Sequence, residues 1–199
     1  MKKYLITYFL ILFLAPNTVY AHGIFKGLSS FYNGLLHPLF VPAQIILIIA
    51  LGLFLGKQED KKHRIFFSFA IAVIIGLLIN AFLNIHNPIR IYNENLLIIA
   101  TLIIATLVIL QQCVHPAIAI IIMVAGGILI GLDSSPDQLI TKEKGAFLLG
   151  NGITIYLLIL YPITLAETFN KAFWQEVFIR ILGSWLVASA LMVGAMLVS

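Results

Sequence analysis

Metal-ligating side chains stand inside or at the edges of strongly apolar segments of this chain. Imidazole, carboxylate and amide oxygen are all ligands for divalent first-row metals. Polar groups are costly in hydrocarbon, so an ionisable residue there is a candidate for function. The candidate ligands are His22, His37, Gln44, Asn84, His86, Asp133 and Asn151. They predict a divalent transition metal as a transported substrate rather than as a permanently bound cofactor.

The sequence carries no recognisable catalytic motif. No spacing matches a zinc enzyme, a P-loop, a dinucleotide fingerprint or a serine-hydrolase elbow. Pairs of Asp and Glu within the apolar segments, as in many proton relays, are also missing. The chain is therefore predicted not to be an enzyme, and an intramembrane enzyme ranks last among the hypotheses.

The composition is that of a membrane protein. Of the 199 residues, 61% are hydrophobic and 10% are charged, against about 25% charged in an average soluble domain. Mean hydropathy is +1.07. The formal charge of +4 is better explained as an orientation signal than as a nucleic-acid patch. The sequence thus predicts an all-α integral membrane protein whose first partner is the lipid bilayer.

Six apolar segments meet or approach the length of about 20 residues that a helix needs to cross the hydrocarbon core. They are Leu36–Leu55, Ile65–Leu83, Leu96–Gln112, Pro116–Leu132, Ala146–Leu165 and Val177–Val198. They predict a six-transmembrane-helix bundle that forms one domain over residues 22–199. The third and fourth segments are joined by a very short turn and are expected to form a tight antiparallel hairpin. Pro42 and Pro162 are candidate helix breaks, which transporters often place near their sites.

The first 21 residues have the features of a cleaved signal peptide. Two lysines precede a short apolar stretch, Tyr4–Leu14, and small residues end at Ala21. An uncleaved anchor is the alternative. Cleavage would leave His22 as the N-terminus on the outside.

Alternating loops then set the orientation of the bundle. The basic Lys57–Arg64 loop would be cytoplasmic, and six basic residues inside against four outside agree with that orientation. The sequence predicts a multi-pass protein of a bacterial inner membrane with both termini outside.

This orientation gathers the candidate ligands in the outer half of the bundle. His37 would open the first span, and Gln44 would lie on nearly the same helix face, about 10 Å deeper. Asp133 would end the fourth span, and Asn151 would lie near the start of the fifth. A metal site at this place would be a loading site for an importer.

Each candidate also has an ordinary structural interpretation. A histidine at a helix boundary is typical of an interfacial or capping residue, and His115, directly before Pro116, is expected to cap its helix. Asp133 could simply end a helix, and amides within spans often bond between helices. Glycines four residues apart, such as Gly52 and Gly56, let helices approach closely, and packing within the monomer is favoured over a dimer interface.

Specific motifs stand at the two ends of the mature chain. A-H-G follows the predicted signal, Phe31–Leu39 reads F-Y-N-G-L-L-H-P-L, and Arg180–Met192 reads R-I-L-G-S-W-L-V-A-S-A-L-M. With the size and the six-span plan, these motifs resemble the HupE/UreJ family. The resemblance implies nickel or cobalt permeation, often beside hydrogenase or urease genes. The family's first-span motif is a histidine, five residues and then Asp-His; here His37 matches, but Ala43 and Gln44 replace the Asp-His pair.

Two functional hypotheses follow. The leading one is a secondary permease for a divalent transition metal, nickel or cobalt by resemblance. The alternative is a membrane accessory or assembly protein that transports nothing and binds a partner complex. A partner membrane protein or a second copy of the chain is compatible with either.

Overall fold

The computed structural model describes residues 27–83, 87–134, 141–169 and 172–198. In these residues the chain forms seven helices and no strand, which confirms the all-α prediction. The helices are α1 Ser30–Phe40, α2 Pro42–Lys57, α3 Lys62–Leu83, α4 Asn87–Ile109, α5 Pro116–Leu132, α6 Thr141–Thr168 and α7 Phe173–Val198.

Four of these helices, α3, α4, α6 and α7, are long and apolar enough to cross a membrane. The bent pair α1–α2 makes a fifth candidate if it is counted as one span. Helix α5 is apolar but has 17 residues. It is therefore about 25 Å long, against a hydrocarbon core of about 30 Å. The described residues thus contain four to five candidate spans where the sequence predicted six.

The first predicted span, Leu36–Leu55, is broken into two helices. Val41 is extended, with φ −101° and ψ 100°, and Pro42 opens α2. Proline has no backbone N–H and favours an extended residue before it, so the chain turns by 71° here. The expectation that His37 and Gln44 share one helix face is wrong, whereas the break at Pro42 is confirmed. No break occurs at Pro162, because α6 continues to Thr168.

Helix α2 is the centre of the bundle. It is apolar on all sides, and most of its residues are buried, among them Leu47, Leu51 and Phe54. A helix that is hydrophobic all round must be enclosed by others. Helices α4 and α6 are its main neighbours, and α7, α5 and α3 also contact it. The polar residue Gln44, in the first turn of this helix, is therefore held within the protein.

Glycines bring α2 and α6 into close contact. A Cβ added to Gly52 would lie 2.9 Å from the backbone oxygen of Ile159, and one added to Gly56 would lie 2.6 Å from that of Ile163. Both residue numbers rise together, so the two helices run parallel. The prediction that these glycines pack within the monomer is confirmed.

Glycines also join α5 to α3. A Cβ on Gly127 would lie 2.9 Å from the backbone oxygen of Phe69, and one on Gly131 would lie 2.8 Å from Cα of Gly76. These helices are also parallel, and they form the most extensive helix pair of the bundle. Because the face of α5 that carries the glycines packs against α3, few residues of α5 contact α4.

Helix α4 instead packs on α2 and α7. A Cβ on Gly183 would lie 3.3 Å from the backbone oxygen of Ala105, and one on Gly194 would lie 3.5 Å from the side chain of Ile98. Helices α4 and α7 are therefore antiparallel. The expectation of a tight hairpin between the third and fourth spans is wrong, because their glycine-lined and apolar faces fit other helices better.

Candidate functional site

Asp133 lies at the C-terminal end of α5 and is almost fully buried, with 1% of its surface exposed. The side-chain amide of Gln44 donates a hydrogen bond of 2.7 Å to its Oδ2. The amide of Asn93 donates one of 3.3 Å to its Oδ1. Three helices, α2, α4 and α5, therefore meet at this one carboxylate.

Local structure explains why the carboxylate is held there. The backbone N–H of Asp133 bonds to the oxygen of Leu129 at 3.1 Å, and Ser134 Oγ bonds to the oxygen of Ile130 at 2.8 Å. These bonds keep the end of α5 ordered. The negative end of the α5 dipole opposes a carboxylate at this position, and the positive end of α2, beside Gln44, favours it. The amide donors and the α2 terminus thus offset part of the cost of burying the charge.

Asn80 connects three helices next to Asp133. Its side-chain amide donates to the backbone oxygen of Leu132 at 2.9 Å, at the end of α5. Its own backbone oxygen accepts a hydrogen bond of 3.0 Å from Nζ of Lys144, in the first turn of α6. Lys144 is only 9% exposed. A buried cation therefore lies at the same end of the bundle as the buried carboxylate.

Asn151 is completely buried on α6. Neither its amide nitrogen nor its amide oxygen has a hydrogen-bond partner among the described residues. Gly52 approaches Ile159 and Gly56 approaches Ile163, and the same register continued for two helical turns toward the start of α2 would place Asn151 opposite Gln44. Asn151 thus lies on the α6 face that is turned toward Gln44.

Two further buried amide oxygens lack partners in the described part of the chain: Oε1 of Gln44 and Oδ1 of Asn80. Unpaired buried polar atoms are rare, and each one needs an explanation. Amide oxygens of this kind are acceptors that can bind a cation or a water molecule. We name the residues that meet here the polar cluster: Gln44, Asn80, Asn93, Asp133, Lys144 and Asn151.

His37 lies on the other side of the helix break, in α1. Its ring packs edge-on against Phe147 of α6, with ring centroids 5.2 Å apart. Phe147 and Asn151 are four residues apart and so lie on one face of α6. His37 is therefore placed beside α6, one turn away from the level of Asn151.

The structure brings together part of the predicted ligand set. Gln44 and Asp133 are in direct contact, and Asn151 and His37 lie beside α2 and α6 as described. The positions of His22, Asn84 and the nearby His86 lie outside the described residues. Within the described ranges, no group of three or more His, Cys, Asp or Glu residues could hold a metal. Among the described residues, the groups that an ion would meet at Asp133 are one carboxylate and neutral amides.

Asn93 and Lys144 were not among the site residues predicted from the sequence, because both were assigned to loops outside the predicted spans. In fact α4 begins at Asn87, nine residues before the predicted start at Leu96. The helical period contained the signal, since Asn93 continues the buried face formed by Leu97 and Thr101.

The opposite end of the bundle is tied by a second set of polar contacts. Gln58, just after α2, donates to the backbone oxygens of Phe54 at 3.2 Å and Gln112 at 3.4 Å, and its Oε1 accepts from Val114 N at 3.1 Å. His115 Nδ1 accepts from the N–H of Ala117 at 3.3 Å, which confirms its predicted capping role. These contacts fix the turn between α4 and α5 to the central helix.

The comparisons with known proteins give one match. A family model described as HupE / UreJ protein matches residues 10–196. No curated protein and no solved structure matches the chain.

Proposed function

We propose that the chain, which belongs to the HupE / UreJ family, is a secondary permease for a divalent transition metal. The family is associated with nickel or cobalt transport and with urease or hydrogenase maturation. The observation that carries the proposal is the buried carboxylate of Asp133 beside the break that opens the central helix. The metal is the substrate of this protein.

The energetics of the site support this function. A charged side chain inside a membrane bundle is expensive, and such residues typically mark ion pathways. Transporters build their substrate sites where helices are interrupted, because freed backbone and side-chain groups can then face a ligand. Asp133, Gln44 and the break at Val41 combine these two features at one end of α2.

The contacts between helices support six alternating spans. In that arrangement the first and fifth spans are parallel, as are the second and fourth, and the third and sixth are antiparallel. The packing of α2 on α6, α3 on α5 and α4 on α7 has these directions. We therefore propose α1–α2 as a broken first span and α5 as a short fourth span. The signal peptide that ends at residue 21 is part of the same proposal and rests on the sequence alone.

The proposed orientation places the polar cluster toward the outside of a bacterial inner membrane. An ion would enter past His37, with His22 and His86 as further outer ligands, and reach Asp133, Gln44 and Asn151. Asn84 is proposed as a further ligand on this route. The Gln58 contacts close the cytoplasmic end, so inward release requires them to separate.

The alternative is an accessory protein that binds a partner complex and transports nothing. In such a protein the 2.7 Å bond between Gln44 and Asp133 would only link two helices. The feature that favours the permease is the burial of the Asp133 carboxylate beside the helix break at Val41, because a buried charge is costly without a function.

Metal uptake by proteoliposomes separates these two functions. The full chain, reconstituted in liposomes, is expected to take up at least one of nickel, cobalt, copper, zinc, iron and manganese faster than protein-free liposomes do. If no ion enters and the protein instead co-purifies with a larger complex, the permease proposal is wrong and the accessory role replaces it.

A further inference from the structure

We infer that the ion taken by the polar cluster belongs to the class that prefers oxygen ligands, and that Mn²⁺ is a substrate. The inference rests on the proposed permease function and specifies its ion. It comes from the donor atoms that the described residues bring to Asp133.

The donors around Asp133 are oxygens. Gln44 Oε1 and Asn80 Oδ1 are buried and lack hydrogen-bond partners among the described residues, and so does the amide of Asn151. Two of these residues contact Asp133 or the residue before it directly: Gln44 bonds to its carboxylate, and Asn80 bonds to the oxygen of Leu132. Two amides, from α2 and α3, therefore lie at the carboxylate or at the residue before it, and the register of α2 on α6 places a third, Asn151, on the face turned toward Gln44.

Softer donors lie elsewhere in the described part of the chain. Cys113, the one cysteine of the sequence, is exposed at the opposite end of the bundle. Met123 is buried in the middle of α5, more than two turns from Asp133. His37 lies across the helix break and packs on Phe147. The first-span motif of the HupE/UreJ family has an Asp-His pair, and in this chain Ala43 and Gln44 stand in its place.

Local electrostatics at Asp133 suit a cation. The carboxylate stands at the C-terminal end of α5, where the helix dipole is negative. Gln44 now presents its amide nitrogen to the carboxylate at 2.7 Å. A half turn of that amide would present Oε1 instead, so Gln44 could change from donor to ligand without movement of α2.

Lys144 is the charged group that opposes this binding. Its ammonium donates to the backbone oxygen of Asn80 at 3.0 Å. The side-chain amide of Asn80 in turn donates to the backbone oxygen of Leu132, the residue before Asp133. A bound divalent ion would repel this ammonium. This repulsion would weaken binding, which helps a transport site to release its ion.

Ligand chemistry then sets the ion class. Carboxylates and carbonyls suit Mg²⁺, Ca²⁺ and Mn²⁺, whereas imidazole suits Ni²⁺, Zn²⁺ and Cu²⁺. All nitrogen and oxygen sites bind Ni²⁺ more tightly than Mn²⁺ to some degree, in the Irving–Williams order. The donors that the described residues bring to Asp133 include no imidazole that would strengthen nickel binding, so Mn²⁺ should compete at accessible concentrations.

Competition for uptake tests the inference. In proteoliposomes that hold the full chain, Mn²⁺ should enter, and about a tenfold excess of Mn²⁺ should reduce Ni²⁺ uptake by about half or more. Asn151→His adds an imidazole to the cluster and should raise the ratio of Ni²⁺ to Mn²⁺ uptake about tenfold. Asn95→His is the matched control, because Asn95 is exposed on α4, and it should leave the ratio unchanged.

A binding measurement covers the case in which a variant does not reconstitute. Mn²⁺ added to the purified full chain should lose its free-ion electron paramagnetic resonance signal, and Asp133→Asn should restore that signal. Nickel uptake that Mn²⁺ neither follows nor inhibits would overturn the inference and leave the permease intact. Absence of uptake for every ion would overturn both.

Discussion

Replacement of Gln44 by methionine tests the geometry of the polar cluster. Methionine is similar in length and apolar, so Gln44→Met removes the 2.7 Å donor from Asp133 Oδ2 with little change in packing. Hydrogen bonds to charged groups contribute about 1.5–3 kcal/mol. Asn93 still donates to the other carboxylate oxygen at 3.3 Å. The expected loss in the free energy of unfolding is therefore about 2 kcal/mol.

A double-mutant cycle makes this prediction specific. Asp133→Leu alone leaves the amides of Gln44 and Asn93 without their carboxylate acceptor. The double variant removes both partners of the Gln44 bond, so it should be less destabilised than the sum of the single variants, by about 1–2 kcal/mol.

The assay is denaturant unfolding of the full chain in mixed micelles, followed by circular dichroism. Gln112→Met is the control, since the side chain of Gln112 is exposed at the opposite end of the bundle. Strict additivity of Gln44→Met and Asp133→Leu, or a Gln44→Met variant as stable as the control, would refute the arrangement described for Asp133.

Three further predictions concern packing and orientation. Gly131→Ala should lower the free energy of unfolding by about 1–3 kcal/mol, because the new Cβ would lie 2.8 Å from the backbone of α3. Gly145→Ala is the control and should not destabilise the protein in the same assay, because its Cβ would meet nothing within 4 Å. Equal stability of the two variants would contradict the α3–α5 contact. Gln58→Leu should leave the N–H of Val114 unpaired and speed its hydrogen exchange several-fold, and an unchanged rate would show that the bond does not hold the turn. An impermeant maleimide should label Cys113 in inverted vesicles and not in spheroplasts, and the opposite pattern would reverse the proposed orientation.

The sequence predicted the membrane class, the helical fold and the placement of Gln44 and Asp133 in the same half of the bundle. Alternation of the apolar segments is enough for that placement, but the direct hydrogen bond between the two side chains depends on helix packing, which the sequence did not predict. The helix directions also agree with six alternating spans, although α5 is short.

Packing of one helix on another was not accessible in the same way. The hairpin prediction relied on the short turn between the third and fourth spans. The length of a turn does not determine which face of α5 carries the smallest side chains and so allows the closest helix contact. Gly127 and Gly131 form that face, and it fits α3. The sequence contained the glycine spacing but not the identity of the partner helix.

Two residues of the polar cluster, Asn93 and Lys144, were not predicted because the starts of their helices were placed too late in the sequence. Hydropathy alone placed the start of the predicted third span at Leu96 and so assigned Asn93 to a loop, although Asn93 lies within α4. Lys144 was likewise counted as an outside charge. Its side chain is nevertheless buried, and its ammonium donates to the backbone oxygen of Asn80, near the end of α3. This contact depends on the folded bundle and cannot be predicted from composition.

The role of Asp133 in transport can be measured as the initial rate of metal uptake by proteoliposomes that hold the Asp133→Asn variant. Glu143→Gln is the matched control, because Glu143 is an exposed carboxylate at the start of α6. Uptake should fall about tenfold or more in Asp133→Asn, because the buried carboxylate is lost, and should remain unchanged in Glu143→Gln. Equal uptake by Asp133→Asn and the unmodified protein would contradict this role of Asp133.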